Sequence, residues 1–181
     1  MNLQLIGEHT IDISFLPVSG AKILDLGARG FSFCNAFPQH FVTSVDCDKL
    51  DGDYLQCAVS DYDGECAVKH VSDPQATTIT PGMGIPCYTL KTLSEVVGCQ
   101  FWDVIKIDVE GSEREIIKSM DKPWAKQISI EFHLHTGAYG QYTMRLMEVK
   151  LQQLGYIQIQ HNLEKRHGLS LNYWDSLFIL K

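Results

Sequence analysis

A chain of 181 residues with a formal charge of −7 at pH 7 can bury one substantial core, and its acidity argues against general nucleic-acid binding. It has no Lys/Arg run to grip phosphates, no apolar stretch long enough to cross a bilayer, and no basic-then-apolar leader over residues 1–7. Six cysteines (34, 47, 57, 66, 87 and 99) form no C-x-x-C pair and mostly sit in or beside apolar runs. That is the usage of reduced, buried thiols in a cytoplasmic protein, so neither a disulfide nor a zinc site is expected from them.

Residues 1–20 read as a short N-terminal extension. The apolar run Lys22–Leu26 predicts a buried strand that breaks at Asp25-Leu26-Gly27-Ala28-Arg29-Gly30 into a glycine turn, followed by a helical stretch over Phe31–Phe37. Phe41–Val45 is a second strand, closed by Asp46, and Tyr54–Ser60 a third. Residues 61–65 carry hairpin-turn chemistry, with Cys66–Val71 as the returning strand. Ser72–Pro86, rich in Thr, Pro and Gly without a clear period, predicts a mobile loop of the kind that borders a ligand pocket. A short helix over Thr92–Val97 precedes the strand Trp102–Ile107, which ends at Asp108, and Ser112–Met120 is helical. Gln127–Phe132 is a strand, Tyr142–Leu154 has helical spacing and stops at Gly155, and two final strands span Tyr156–Gln160 and Leu177–Leu180. With no repeat and no linker, the chain reads as a single domain over 1–181.

Alternating strands and helices predict an α/β fold: a mostly parallel sheet with helices on both faces and a C-terminal antiparallel hairpin. Ligands of such sheets bind beyond the carboxyl ends of the strands. Three carboxylates fall there: Asp46, Asp108 and Glu131. One strand-end Asp is most simply a helix cap; three beside a glycine turn favour a site. The turn is not a dinucleotide fingerprint, because the second and third glycines counted from Gly27 would be Arg29 and Ser32. Asp25 at its edge suits a ligand carrying an ammonium or sulfonium. Asp46, about 20 residues past the turn, suits a ribose diol, with Asp48 as its substitute. Val59 and Asp61 could flank an adenine ring.

Together these segments carry a resemblance. Asp25–Gly30, Val45-Asp46, Ala58–Asp61 and Asp63-Gly64 resemble the N-terminal half of an FkbM-type methyltransferase. Ile105-Lys106-Ile107-Asp108-Val109-Glu110-Gly111-Ser112-Glu113 is similar to that family's K-I-D-x-E-G-x-E motif. Ile130–His133 matches its E-x-H element, and Trp174–Phe178 resembles its closing strand. The glycine motif is one residue shorter than the common D-x-G-A-N-x-G form. The resemblance implies a Rossmann-like class I methyltransferase fold with strand order 3-2-1-4-5-7-6, S-adenosyl-L-methionine as cofactor, and O-methylation of a hydroxylated small-molecule or glycan acceptor. Asp25, Gly27, Ala28, Gly30, Asp46, Val59, Asp61 and Asp108 are then the candidate cofactor contacts.

A hydroxyl nucleophile must lose a proton, which calls for a base or a cation that lowers its pKa. Asp108, Glu131 and His133 are the candidate catalytic residues. Either the two carboxylates hold Mg²⁺ and leave His133 as base, or Glu131 and His133 form a structural hydrogen-bonded pair. Zinc on Glu131, His133 and His135 is a lesser alternative. Lys106, two residues before Asp108, shares its strand face and would pair with a carboxylate, whereas Glu110 and Glu113 open a helix whose dipole favours them. Two other functions compete: a cofactor-binding protein without catalysis, and an oxidoreductase on a related sheet.

Overall fold

The structure, a computed structural model, describes residues 1–70, 77–133, 139–165 and 172–181. The chain begins with strands β1 (Leu3–Ile6) and β2 (His9–Asp12), an antiparallel pair turning at Gly7-Glu8, in the segment read as a bare extension. Then come β3 (Lys22–Leu26), α1 (Ser32–Ala36), β4 (Phe41–Asp46), β5 (Leu55–Gln56), β6 (Ala58–Ser60), β7 (Gly64–His70), β8 (Thr77–Pro81) and β9 (Ile85–Thr89). The second half holds α2 (Leu90–Val97), β10 (Trp102–Ile107), α3 (Glu113–Ser119), β11 (Ala125–His133), α4 (Tyr139–Gln153), β12 (Tyr156–Lys165) and β13 (Asn172–Leu180).

Seven strands form the central sheet in the order β12-β13-β11-β10-β3-β4-β5. The pairs from β11 to β5 are parallel, and β13 runs antiparallel to both β11 and β12. A second sheet, β6-β9-β7-β8, corrects three expectations. The third strand is split, because Cys57 breaks away between β5 and β6 and only β5 joins the central sheet. β7 does not return on β6; β9 lies between them, parallel to β6 and antiparallel to β7. The expected loop over 72–86 contains β8 and the first two residues of β9, while its first part, 72–76, lies outside the described residues. Likewise, the two final strands are longer than expected: β12 runs on to Lys165, and β13 begins at Asn172.

Alternation along β3 and β10 sorts the core into two layers. Leu24, Leu26, Ile105 and Ile107 pack with Leu93, Ile116, Met147 and Leu151 from α2, α3 and α4. Ile23 and Val104 face the other way, onto Phe33 and Phe37 of α1 and Ile6 and Ile11 of the hairpin. Residues paired in register share a face, so Asp25, Lys106 and Ser129 project together toward the hairpin side. That face therefore carries charge as well as hydrocarbon, and β2 covers it.

Candidate functional site

A cavity of about 350 Å³ opens beyond the carboxyl ends of β3, β4, β10 and β11. Of the candidate cofactor contacts and catalytic residues, Gly27, Asp46, Val59, Asp108 and Glu131 line it, as does Asp48. Asp25, Ala28, Gly30, Asp61 and His133 are not on its wall. Asp25 is fully buried and lies 3.1 Å from Lys106 Nζ. Ala28 is buried, and Gly30 sits at the exposed bend of the turn. Asp61 faces Lys118 at 3.7 Å on the outer surface, and Asp48, the substitute for Asp46, pairs with Arg29. His135 lies outside the described residues.

Gly27 is required for a reason its motif does not state. Its φ is +79°, and a Cβ built there would collide with the backbone carbonyl of Asp108. The Asp108 amide donates to the Leu26 carbonyl at 3.1 Å, and the Gly27 and Ala28 amides donate to the Val45 carbonyl. The missing side chain thus lets three strand ends converge at the cavity floor.

Around the floor runs a connected set of charges. Asp108 Oδ2 lies 3.3 Å from Lys106 Nζ and 3.4 Å from His9 Nε2, and its Oδ1 lies 3.6 Å from His133 Nε2. His133 Nδ1 is 2.7 Å from Glu113 Oε1, and Nε2 also faces Glu110 at 3.4 Å and Glu131 at 3.8 Å. By sequence Glu113 only opens a helix whose dipole favours it, but its Oε1 also accepts from the Gly111 amide at 3.0 Å, which holds it against the imidazole. Glu110, at φ +55°, adopts the left-handed backbone that turns its carboxylate back over the site.

These contacts decide protonation. Burial alone would raise the Asp108 carboxyl, but Lys106, helped by His9 and His133, outweighs it and holds the group well below the usual carboxylate range. Burial would lower His133, but Glu113, Glu110 and Asp108 overcome that and push it up to about 10. His133 is therefore imidazolium at neutral pH, which corrects its reading as a ready base. Glu131, 4 % exposed, is pushed up to about 8 by burial and by Asp108, against the opposing pull of His133. Burial lowers His9, so it is neutral, and it raises Asp46.

Two groups bring ligand atoms close enough to share an ion: His9, Asp108 and Glu131; and Asp108, Glu110 and His133. Neither suits Mg²⁺, which wants an octahedron of oxygens. Each group includes an imidazole, that of His133 is protonated, and both Asp108 oxygens already face cationic or N–H partners. The expectation of Mg²⁺ on Asp108 and Glu131 is withdrawn on that chemistry.

Sequence reasoning missed two contributors from the hairpin. Glu8 lines the cavity, and His9 reaches Asp108 across 99 positions of sequence. No local pattern marks them. Lys106 was legible, through its spacing from Asp108.

The model of the FkbM methyltransferase domain matches residues 21–157. No curated protein matches the sequence. Among solved structures, the 1,6-didemethyltoxoflavin-N1-methyltransferase of Burkholderia thailandensis, with bound 1,6-didemethyltoxoflavin and S-adenosylhomocysteine, is 15 % identical with a TM-score of 0.50. The match covers 90 % of this chain and 72 % of that one, and shows a methyltransferase-like fold. The magnesium protoporphyrin IX methyltransferase of Synechocystis, with bound S-adenosylmethionine, is 10 % identical with a TM-score of 0.43, covering 90 % and 71 % of the two chains.

Proposed function

Because the chain belongs to the FkbM methyltransferase domain family, we propose that its cavity takes S-adenosylmethionine and that it methylates a hydroxyl of a small-molecule or glycan acceptor. One observation carries this reading. Glu131, buried and on the cavity wall, makes no hydrogen bond to any described residue, while Asp46 stands on the same wall at the end of β4. One carboxyl group is thus left to take a proton, and another to hold a diol.

The residues present fit the cofactor. The Asp46 Oδ1 accepts from the Asp48 amide at 2.8 Å, which fixes the carboxylate for ribose hydroxyls. Ala58 and Val59 offer an apolar wall for a base, and the acidic lining suits a cation. The bound cofactor would supply an electrophilic methyl group. Transfer to oxygen is an in-line displacement, so the protein's main task is to hold the nucleophile in near-attack geometry. Glu131 takes the hydroxyl proton in its ionised form, a minority at pH 7 that grows as pH rises through about 8, and a conjugate acid near 8 makes that form a stronger base than an ordinary carboxylate. His133, protonated and clamped by Glu113, supplies the positive charge against which Asp108, Glu110 and Glu131 are arrayed. All six cysteines are free, which fits the cytoplasm as the compartment we propose.

Calorimetry with S-adenosylmethionine, followed by release of S-adenosylhomocysteine across a panel of sugars, glycosides and other alcohols, tests the reading. Binding with acceptor-dependent turnover supports it. Binding without turnover on any alcohol would return the chain to a cofactor-binding protein, and no binding at all would refute the cofactor assignment.

A further inference from the structure

The family match begins at residue 21, yet the residues before it enter the cavity. The β1–β2 hairpin is docked by a reciprocal clamp: the Asp12 amide donates to Gln127 Oε1 at 2.9 Å, and Gln127 Nε2 donates to the Asp12 carbonyl at 3.1 Å. Asp12 itself accepts from the amides of Asn2 and Ser14, which ties the strand to both flanks. This places Glu8, at the hairpin turn, on the cavity wall and the next residue, His9, beneath Asp108.

His9 is 2 % exposed, and both ring nitrogens are engaged. Nε2 lies 3.4 Å from Asp108 Oδ2, and Nδ1 lies 3.2 Å from Ser129 Oγ and 3.8 Å from Asp175 Oδ1. In the neutral ring one nitrogen donates and the other accepts. Asp108 is a carboxylate, so Nε2–H donates to it and Nδ1 accepts from the Ser129 hydroxyl. The Phe33 ring meets the imidazole edge-on at 6.2 Å and fixes its plane. Lys106 holds the same Asp108 oxygen from the other side at 3.3 Å. With Oδ2 gripped by two donors, the carboxylate cannot turn over, and Oδ1 is the oxygen left toward His133 and a ligand.

We propose that the N-terminal hairpin is a working part of the site, and that His9 is a positioning residue that sets the rotamer of Asp108 for the bound cofactor. Lys106 alone provides a point charge that tolerates several carboxylate orientations; the directed N–H of His9 selects one. The inference rests on the reading of the cavity as the place of S-adenosylmethionine.

The test compares S-adenosylmethionine binding by calorimetry in the full-length wild type, His9→Leu and His9→Gln, with thermal midpoints measured alongside. Gln keeps an N–H near the position of Nε2, whereas Leu fills the space without a donor. The expected result is at least a tenfold loss of affinity for His9→Leu and restoration to within threefold of wild type by His9→Gln. A filler role would move the two midpoints and leave both affinities at the wild-type value. Unchanged affinity in His9→Leu, or an equal loss in both variants, overturns the inference while leaving the cofactor reading intact. A wild type that binds no S-adenosylmethionine overturns both. Should His9→Leu fail to fold, Ser129→Ala, which removes the donor to Nδ1, carries the test. A two- to fivefold loss at an unchanged midpoint supports the proposal, and wild-type affinity overturns it.

Discussion

Glu131→Gln separates a carboxyl group that is neutral in the folded protein from one that is ionised. Glu131 is displaced from its ordinary value of 4.5 to about 8, first by burial and then by Asp108. The folded state therefore keeps a proton that the unfolded chain releases above pH 4.5, and stability falls as pH rises from 4.5 through 8. At about 1.4 kcal/mol per pH unit, the ceiling on that loss is about 5 kcal/mol. His133 Nε2, 3.8 Å away, shares in the proton equilibrium and lowers the share that belongs to Glu131 alone. Gln resembles the protonated side chain in shape and is neutral at every pH, so it escapes the loss. Urea denaturation at pH 5, 7 and 9 should show wild type and variant nearly equal at pH 5, with the variant more stable by about 2 kcal/mol or more at pH 9. A difference independent of pH, or a variant less stable than wild type at pH 9, would refute the protonation assignment. If Glu131 is also the base, Glu131→Gln should lower turnover by roughly 10²–10⁴ at every pH with cofactor affinity retained.

The other predictions address neighbouring parts of the site. Asp46→Ala should weaken S-adenosylmethionine binding by about 1.5–3 kcal/mol, measured by calorimetry, and unchanged affinity would remove Asp46 from the cofactor contacts. Gly27→Ala should cost roughly 2–4 kcal/mol of stability, because it adds both a positive-φ side chain and a clash with the Asp108 carbonyl; a thermal midpoint within a degree of wild type would show that the strand ends do not need that approach. His133, raised to about 10, contributes stability that is complete below pH 6.5 and is lost as pH rises through 10. His133→Gln should therefore be most destabilising near pH 6 and lose its effect above pH 10, and a constant deficit by denaturation across that range would contradict an imidazolium.

The outline of the site was legible because it depends on local rules. An apolar run broken by glycine is a strand leading into a turn, and the period of a strand places Lys106 with Asp108 and Glu131 with His133 on shared faces. Those rules alone put Asp46, Asp108 and Glu131 at strand ends. They could not find the second sheet, since β8 and the start of β9 lie in a Thr-, Pro- and Gly-rich stretch whose strand character comes from pairing with β7 rather than from its own pattern. Nor could they find His9, whose role exists only because the hairpin docks on β11 through Gln127. Protonation lay further out of reach. The same imidazole is neutral at His9, where burial and Lys106 outweigh Asp108 and Asp25, and charged at His133, where Glu113, Glu110 and Asp108 outweigh burial. Sequence determines which groups can titrate and which face of a strand they occupy. Only the folded chain decides how many charges surround each group and how much water remains, and those two quantities set which carboxyl group is free to accept a proton.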